Sequence, residues 1–561
     1  MPIRRALLLS LTSAFLVAAC SSPEPAQLKM DAVSVSDTNI MNDIRKLSSD
    51  EFEGRMPGTK GEALTVQYFI DQFKAMPGIE PGNPDGTWVQ KVPLVGIQGS
   101  PTPLVVKKGA QSHQFKVRED FVAFSKHVVD HVGIENSEIV FAGYGVQAPE
   151  YGWDDFKGVD VKGKTIMVLV NDPPVPDKAD PKQLDSKIFG GKAMTYYGRW
   201  TYKFEKAAEL GAAGVLIVHE TIPAAYPWTV VQTMGGERFD LVTPDKNAGR
   251  SKIEGWISMQ AATALLKMAG QDYQKLKEAA RTPAFKAVPL GVTASVSVAQ
   301  KLRTVDSQNV VARLSGSDPK LKDEYVVYSA HWDHFGVGDP VKGDSIRNGA
   351  LDNASGCATV LEIARQLAKL PVKAKRSFLF LMVTAEEQGL LGSQYYADFP
   401  LYPLAKTLAN INIDGINQWG RTSDMVVVGL GASELDDYAR QATAEQSRVL
   451  KPDAEPEKGF YYRSDHFNFA KKGVPAFDPD SGTEYIGKSK EWGQQKRDEY
   501  TNNDYHQPSD EIKPDWNLQG AYEDARVFLL MGYRVANALN FPQWKPGNEF
   551  KAIREKSLAG K

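Results

Sequence analysis

The run Tyr325-Val326-Val327-Tyr328-Ser329-Ala330-His331-Trp332-Asp333 passes from an unbroken β-prone stretch straight into an imidazole and a carboxylate. A stretch without polar alternation reads as a strand buried on both faces, as in a parallel sheet covered by helices. The same passage recurs downstream: Ser377 to Thr384 runs into Ala385-Glu386-Glu387, and Leu408 to Ile413 runs into Asp414. Met425 to Val428 adds a further strand. Between them lies a helix, Ala354 to Leu370, whose Cys357, Val360, Leu361, Ala364 and Leu367 form one apolar stripe. Alternation of this kind from Asn309 onward predicts an α/β fold, a mostly parallel central sheet flanked by helices. Three strands then deliver His, Glu and Asp at their carboxyl ends, the edge where open α/β sheets hold ligands.

Taken singly, each of these residues has a structural explanation. His331 could be a packed histidine, Glu386-Glu387 a solvated pair and Asp352 the N-cap of the helix that follows it. Their convergence favours a site. Tyr505-His506-Gln507-Pro508-Ser509-Asp510 adds a second imidazole in a polar loop before a closing helix of about Leu518 to Leu539. Two histidines with three or four carboxylates and no thiol form a ligand set for one or two borderline metals, zinc first, with manganese or cobalt as alternatives. A carboxylate can give one oxygen to each of two cations, which makes Asp352 the candidate bridge. His113, His127, His131, His334 and His466 are expected to be surface or packing residues, with His466 near the site.

Composition narrows the remaining classes. The chain has 561 residues, 42% hydrophobic and 24% charged, with 66 Lys+Arg against 69 Asp+Glu and a net charge of -3. No basic excess exists for a phosphate backbone, so nucleic acid is not an expected partner. Two cysteines, Cys20 and Cys357, exclude a disulfide scaffold and every Cys-rich metal framework. No Gly-x-Ser-x-Gly motif of a serine hydrolase occurs, and His219-Glu220 lacks the second histidine of a zincin helix.

The N-terminus carries Arg4 and Arg5, an apolar run to Val17, and small residues before Cys20, the pattern of a secretory signal. Val17-Ala18-Ala19-Cys20 looks like a bacterial lipobox, which predicts a lipid anchor on Cys20 and, with Ser21 following, an outer-membrane destination facing the periplasm or exported. The expected organisation is a signal peptide over 1–19 and a linker over 20–37. The first part of the catalytic unit follows over 38–133, a β-rich insertion over 134–298, the main catalytic segment over 299–545 and a tail over 546–561. Within the insertion, Arg199 to Leu210 reads as a helix, Gly211 to Gly214 as its break and Val215 to Val218 as a buried strand.

The series Ser329-Ala330-His331-Trp332-Asp333, Gly349 to Gly356, Ala385 to Gly389, Asn412-Ile413-Asp414 and Tyr505-His506 resembles the co-catalytic di-zinc aminopeptidase family, which also includes glutamate carboxypeptidase and glutaminyl cyclase relatives. Arg463-Ser464-Asp465-His466 and the upstream stretch Leu47 to Gly61 are similar to segments of that family, and Phe141 to Val170 with Gly211 to Val218 looks like the protease-associated domain some members carry. The resemblance implies that His331 and Asp414 complete one zinc site, Glu387 and His506 the other, with Asp352 bridging two zinc ions per chain. It implies Asp333 as the acceptor for the other His331 nitrogen, Glu386 as general base, Tyr505 as donor to the oxyanion, and a cis peptide between Asp352 and Asn353. The activity implied is hydrolysis of N-terminal residues from peptides with a free N-terminus. Carboxypeptidase, dipeptidase or glutaminyl cyclase chemistry, and a peptide-binding relative without turnover, are the alternatives. Arg463 is the one nearby arginine available to a substrate carboxylate.

Overall fold

Every residue of three adjacent strands, Tyr325–His331, Ser377–Val383 and Thr407–Asn412, is buried. They form the centre of the C-terminal α/β unit in the computed structural model, which describes residues 28–224, 226–232 and 237–559. The expected signal segment, the lipobox with Cys20 and the start of the linker lie outside the described residues. Alternate side chains of these strands enter two different cores. Val326, Tyr328, Phe378, Phe380 and Met382 pack into one, and Tyr325, Val327, Leu379, Leu381 and Val383 into the other. That two-sided burial is why the sequence shows continuous apolar runs.

Tyr325–His331 pairs in parallel with both neighbours, in a register that sets His331 beside Val383 and Ser329 beside Asn412. The residues that follow each strand therefore leave the sheet along one edge. Ala476–Asp480 continues the parallel order, whereas Asp424–Val428 runs antiparallel to it and pairs with Val449–Pro452. On the opposite side, Val310 to Leu314 pairs antiparallel with Ser377–Val383. The sheet is thus parallel at its centre and antiparallel towards its margins.

Helix Gly356–Lys369 buries the expected stripe and much of its remaining surface, because helix Asp37–Leu47 shares its core. Ser36 starts that outer helix by accepting from the Asn39 amide. The closing helix, Gln519–Asn537, crosses the sheet at Gly532, where an added Cβ would stand 1.8 Å from the Tyr328 hydroxyl. That hydroxyl donates to the Phe528 carbonyl at 2.8 Å, tying helix to strand.

A 27-residue strand, Val288–Leu314, belongs to both units. Its first part pairs with His131–Phe141, its middle with Val89–Pro101 and its end with Ser377–Val383 of the central sheet. The insertion is therefore entered and left along a two-stranded antiparallel ribbon. Its second core includes Leu104, Val106, Phe115 and Phe121, so the module starts upstream of the expected residue 134. Within it, the fully buried strands Thr165–Leu169, Gly214–Val218 and Ile253–Ile257 lie parallel to one another. Helix Trp200–Glu209 precedes the middle strand, and Gly211 makes the break with a φ of 71°. Among the described residues no helix is long and apolar enough to cross a membrane.

Candidate metal centre

The shared edge brings the strand ends together. His331 Nε2 lies 3.1 Å from Asp414 Oδ1 and 3.2 Å from Asp352 Oδ1. The loop beyond Asn503 swings His506 in from the far side, with its Nε2 3.2 Å from Asp352 Oδ2 and 3.3 Å from Glu387 Oε2. Asp352 thus turns one carboxylate oxygen to each histidine. Among the described residues, His331 with Asp352 and Asp414, His331 with Glu386 and Glu387, and His334 with Asp352 and Glu387 each gather ligand atoms within 4.8 Å.

The loops that carry these groups are fixed from behind. Arg55 is buried and donates only to carbonyls here: Nε to Trp332 at 2.9 Å, Nη1 to Leu47 and Asn348 at 2.8 and 2.6 Å, and Nη2 to Gly349 at 2.8 Å. It therefore ties together the segments after His331 and before Asp352. A side chain at Gly349 would meet the Asp352 carbonyl and the His334 ring, and its φ of 56° also favours glycine. Asp510 accepts from the Leu351 and Asp352 amides, both at 3.1 Å. Asn353 donates to the Ile413 carbonyl and accepts from the Gly356 and Gly415 amides, and the Asp352-Asn353 peptide is cis. Ser464 donates to Asp414 Oδ2 at 2.6 Å.

Asp333 differs in detail from the role the resemblance implies. Its carboxylate accepts from the Glu386 and Glu387 amides at 3.0 and 3.3 Å and stands 3.8 Å from His331 Nδ1. The nearer acceptor for that nitrogen is the Asp333 main-chain carbonyl, at 3.2 Å. One residue thus orients both the imidazole and the acidic turn. Tyr505 packs against His506 with ring centroids 3.6 Å apart and the ring planes tilted by 30°, and its phenol feels the charges of Asp352, Glu387 and Glu386.

His334 departs from the expectation of an ordinary packing or surface residue. It is buried, with Nδ1 2.6 Å from Glu387 Oε1 and no hydrogen-bond partner at Nε2. The i, i+3 spacing from His331 was its only sequence signal. His466 is also buried, 3.5 Å from Asp478, and belongs to the wall behind Asp414.

The electrostatics call for cations. Burial together with the Asp414 charge pushes Glu386 well above the usual carboxylate range, and burial with the Asp352 and Glu386 charges does the same to Glu387. Burial would lower His331, but the Asp414 and Glu386 charges outweigh it and hold the imidazole well above its ordinary value. Burial would likewise raise Asp352, yet the His331 and His506 imidazoles beside it keep it well below. Carboxylates this close cannot all ionise unless positive charge stands among them. Imidazole nitrogens and carboxylate oxygens at this spacing, with His506 Nε2 lacking a hydrogen-bond partner, fit zinc or a similar divalent ion. Cys357 stays outside the ligand set, its thiol turned to the His331 carbonyl.

Part of the chain is similar to a known family. The profile of peptidase family M28 matches residues 309–529. Aminopeptidase NAALADL1 of Mus musculus is 36% identical over 132 residues, 22% of this chain and 16% of that protein. Aminopeptidase YwaD of Bacillus subtilis is 28% identical over 210 residues, 37% of this chain and 40% of that protein. The chain thus spans well under half the length of these curated relatives. Among solved structures, an aminopeptidase from Aneurinibacillus sp. strain AM-1 is similar over 92% of this chain and 95% of its own, with 20% identity and a TM-score of 0.48. BSAP, a zinc aminopeptidase from Bacillus subtilis, is similar over 89% and 94%, with 18% identity and a TM-score of 0.41.

Proposed function

We propose that this chain, whose residues 309–529 belong to peptidase family M28, is a zinc-dependent aminopeptidase that removes N-terminal residues from peptides. The observation that carries the reading is the carboxylate of Asp352, with one oxygen toward His331 and Asp414 and the other toward His506 and Glu387. On this reading His331 and Asp414 hold one ion, Glu387 and His506 a second, and Asp352 both. Bound zinc would supply Lewis acidity toward the scissile carbonyl and toward the attacking water.

The rest of the chemistry falls to the chain's own side chains. Glu386 sits next to a ligand, on a turn whose amides are held by Asp333. That place beside the ligand suits a general base that takes a proton from water and passes it to the leaving amine. The Tyr505 hydroxyl, near the charges of Asp352, Glu387 and Glu386, would donate to the substrate oxygen as negative charge develops there. His334 holds Glu387 in place, and Asp333 orients His331. The names of the relatives NAALADL1 and YwaD support the aminopeptidase direction over the carboxypeptidase one. The inserted unit is read as a protease-associated domain, and the lipobox sequence at Cys20 supports a lipid-anchored protein of the bacterial cell envelope.

The test is hydrolysis of matched peptides with free and N-acetylated amino termini, before and after chelation and zinc return. Cleavage of the free-amino peptides alone, lost with chelator and restored by zinc, is expected. Equal cleavage of the acetylated peptides, or indifference to chelation, would overturn the assignment.

A further inference from the structure

The strands that end at the metal centre begin at the opposite end of the catalytic unit, where Tyr325, Ser377 and Thr407 lie side by side and several connections meet. The turn of residues 317–322 rests on residues 373–377 there, with the Ser317 amide donating to the Ala374 carbonyl at 2.9 Å and the Asp318 amide to the Lys375 carbonyl at 3.2 Å. Helix Gln519–Asn537 ends on the same segment: the Tyr533 hydroxyl donates to the Val372 carbonyl at 3.1 Å, and Arg376 Nη1 to the Ala538 carbonyl at 2.6 Å. Val372 is 56% exposed and Leu539 88%. Around them stand Lys320, Lys322, Lys369 and Lys373, all exposed, and the half-buried Lys375.

Charge at this end is one-sided. Among the described residues none of these five lysines forms an ion pair. The acids between them are engaged already: Asp318 accepts from the Lys320 and Leu321 amides, Asp323 faces Arg313 at 3.8 Å, and Glu324 pairs with Arg376 at 2.7 Å. Apolar side chains set among unpaired lysines suit the boundary of an anionic lipid surface, where lysine stems lie along the apolar layer and their ammonium groups meet phosphate.

The path of the chain brings this end to the lipid. Traced back from Ser36, the N-terminal segment follows helix Gln519–Asn537 towards its end: the Val33 and Met30 carbonyls accept from Arg526, and the Leu28 carbonyl accepts from Arg534, within one turn of the end of that helix. Cys20 precedes Leu28 by eight residues, a span of at most about 28 Å. Helix Gln519–Asn537 is itself about 28 Å long. A tether no longer than that helix holds the lysine end, and not the metal centre, against the bilayer.

We infer that this end of the catalytic unit docks on an anionic phospholipid surface, with the metal centre facing away from it. The inference rests on the lipid-anchor reading for bringing a membrane within reach. The lysines and the two apolar side chains then fix the orientation, so that peptides arrive from the aqueous side.

The mature chain, residues 20–561, carrying Cys20→Ser isolates the surface from the anchor. It should co-sediment with vesicles of phosphatidylcholine containing phosphatidylglycerol, come off as salt rises, and ignore vesicles of phosphatidylcholine alone. Lys369→Gln and Lys373→Gln should each weaken the partition about fivefold, and Leu539→Asp about tenfold, with thermal unfolding and peptide hydrolysis in solution unchanged. Equal partition onto both kinds of vesicle, or variants that all bind as the parent does, overturns the surface. On the lipidated protein, a fluorophore at Leu539→Cys should be quenched by a nitroxide-labelled lipid, and one at Val337→Cys, on the hairpin beyond His334, should not; Cys357 is buried and takes no label. Equal quenching at the two positions overturns the orientation. The mass of the mature N-terminal peptide tests the anchor separately: an unmodified Cys20 removes the anchor reading, and vesicle binding by the Cys20→Ser chain still decides the surface.

Discussion

Lys203 in the module and Glu387 at the metal centre are both ionisable side chains held away from water, and their surroundings are opposite. Lys203 donates to the carbonyls of Tyr144, Asn171 and Tyr197, and its neighbour Asp172 accepts from the amide and hydroxyl of Thr195. Burial lowers the lysine to about 8 and raises the aspartate to about 7, but each charge partly offsets the other. At the sheet edge, Asp352, Glu386, Glu387 and Asp414 crowd one another, and the ion pairs they make are with histidines. Lys203 and Asp172 are satisfied by the backbone and side chains around them. The metal centre leaves its charges unbalanced for something that must bind.

That contrast can be broken most sharply at Glu386. Glu386→Gln should lower kcat by about 10²–10⁴-fold while the melting temperature and metal content stay close to wild type. A large loss of metal would instead make Glu386 a ligand. Lys203→Met should do the reverse. Losing the donor to three carbonyls and the charge beside Asp172 should cost about 3 kcal/mol in denaturant unfolding, with metal content unchanged. A variant as stable as wild type would show that the module's buried charges are not structural.

A smaller effect concerns Glu62, which is buried and accepts from the Gly58 amide and the Ser307 hydroxyl. Burial raises it from 4.5 to about 7. Between those values the folded state holds a proton that the unfolded state has lost, so this group's contribution to stability falls as pH rises through the window and does not recover above it. Glu62→Gln keeps an acceptor for Gly58 and removes the titration. The stability difference between variant and wild type should grow in the variant's favour from pH 4.5 to 7, by roughly 2–3 kcal/mol at most. A pH-independent difference would show that Glu62 is not perturbed in this way.

The sequence made the central strands and the edge legible because both are written locally. Apolar runs ending in His331, Glu386-Glu387 and Asp414 state their own burial and their own terminus, and a parallel register then brings the ends together. What was not legible depends on contacts between distant segments. Nothing near Arg55 announces that its guanidinium meets carbonyls of residues 332, 348 and 349. Arg199 reads as the first residue of a helix, and only the packing of the module against the C-terminal unit places it on the same cavity as Arg463 and Glu386. The module boundary was missed for a related reason. Strands Val89–Pro101 and Val288–Leu314 run through both units, so no change of composition marks where one ends.

The central claim is that Asp352 holds two ions at once, and metal content of the purified protein tests it most directly. Wild type should carry about two zinc ions per chain, and Asp352→Ala should lose most of both, because a bridging carboxylate serves each site. A variant that keeps its full metal complement, or a wild type that takes up no divalent metal, would contradict the account.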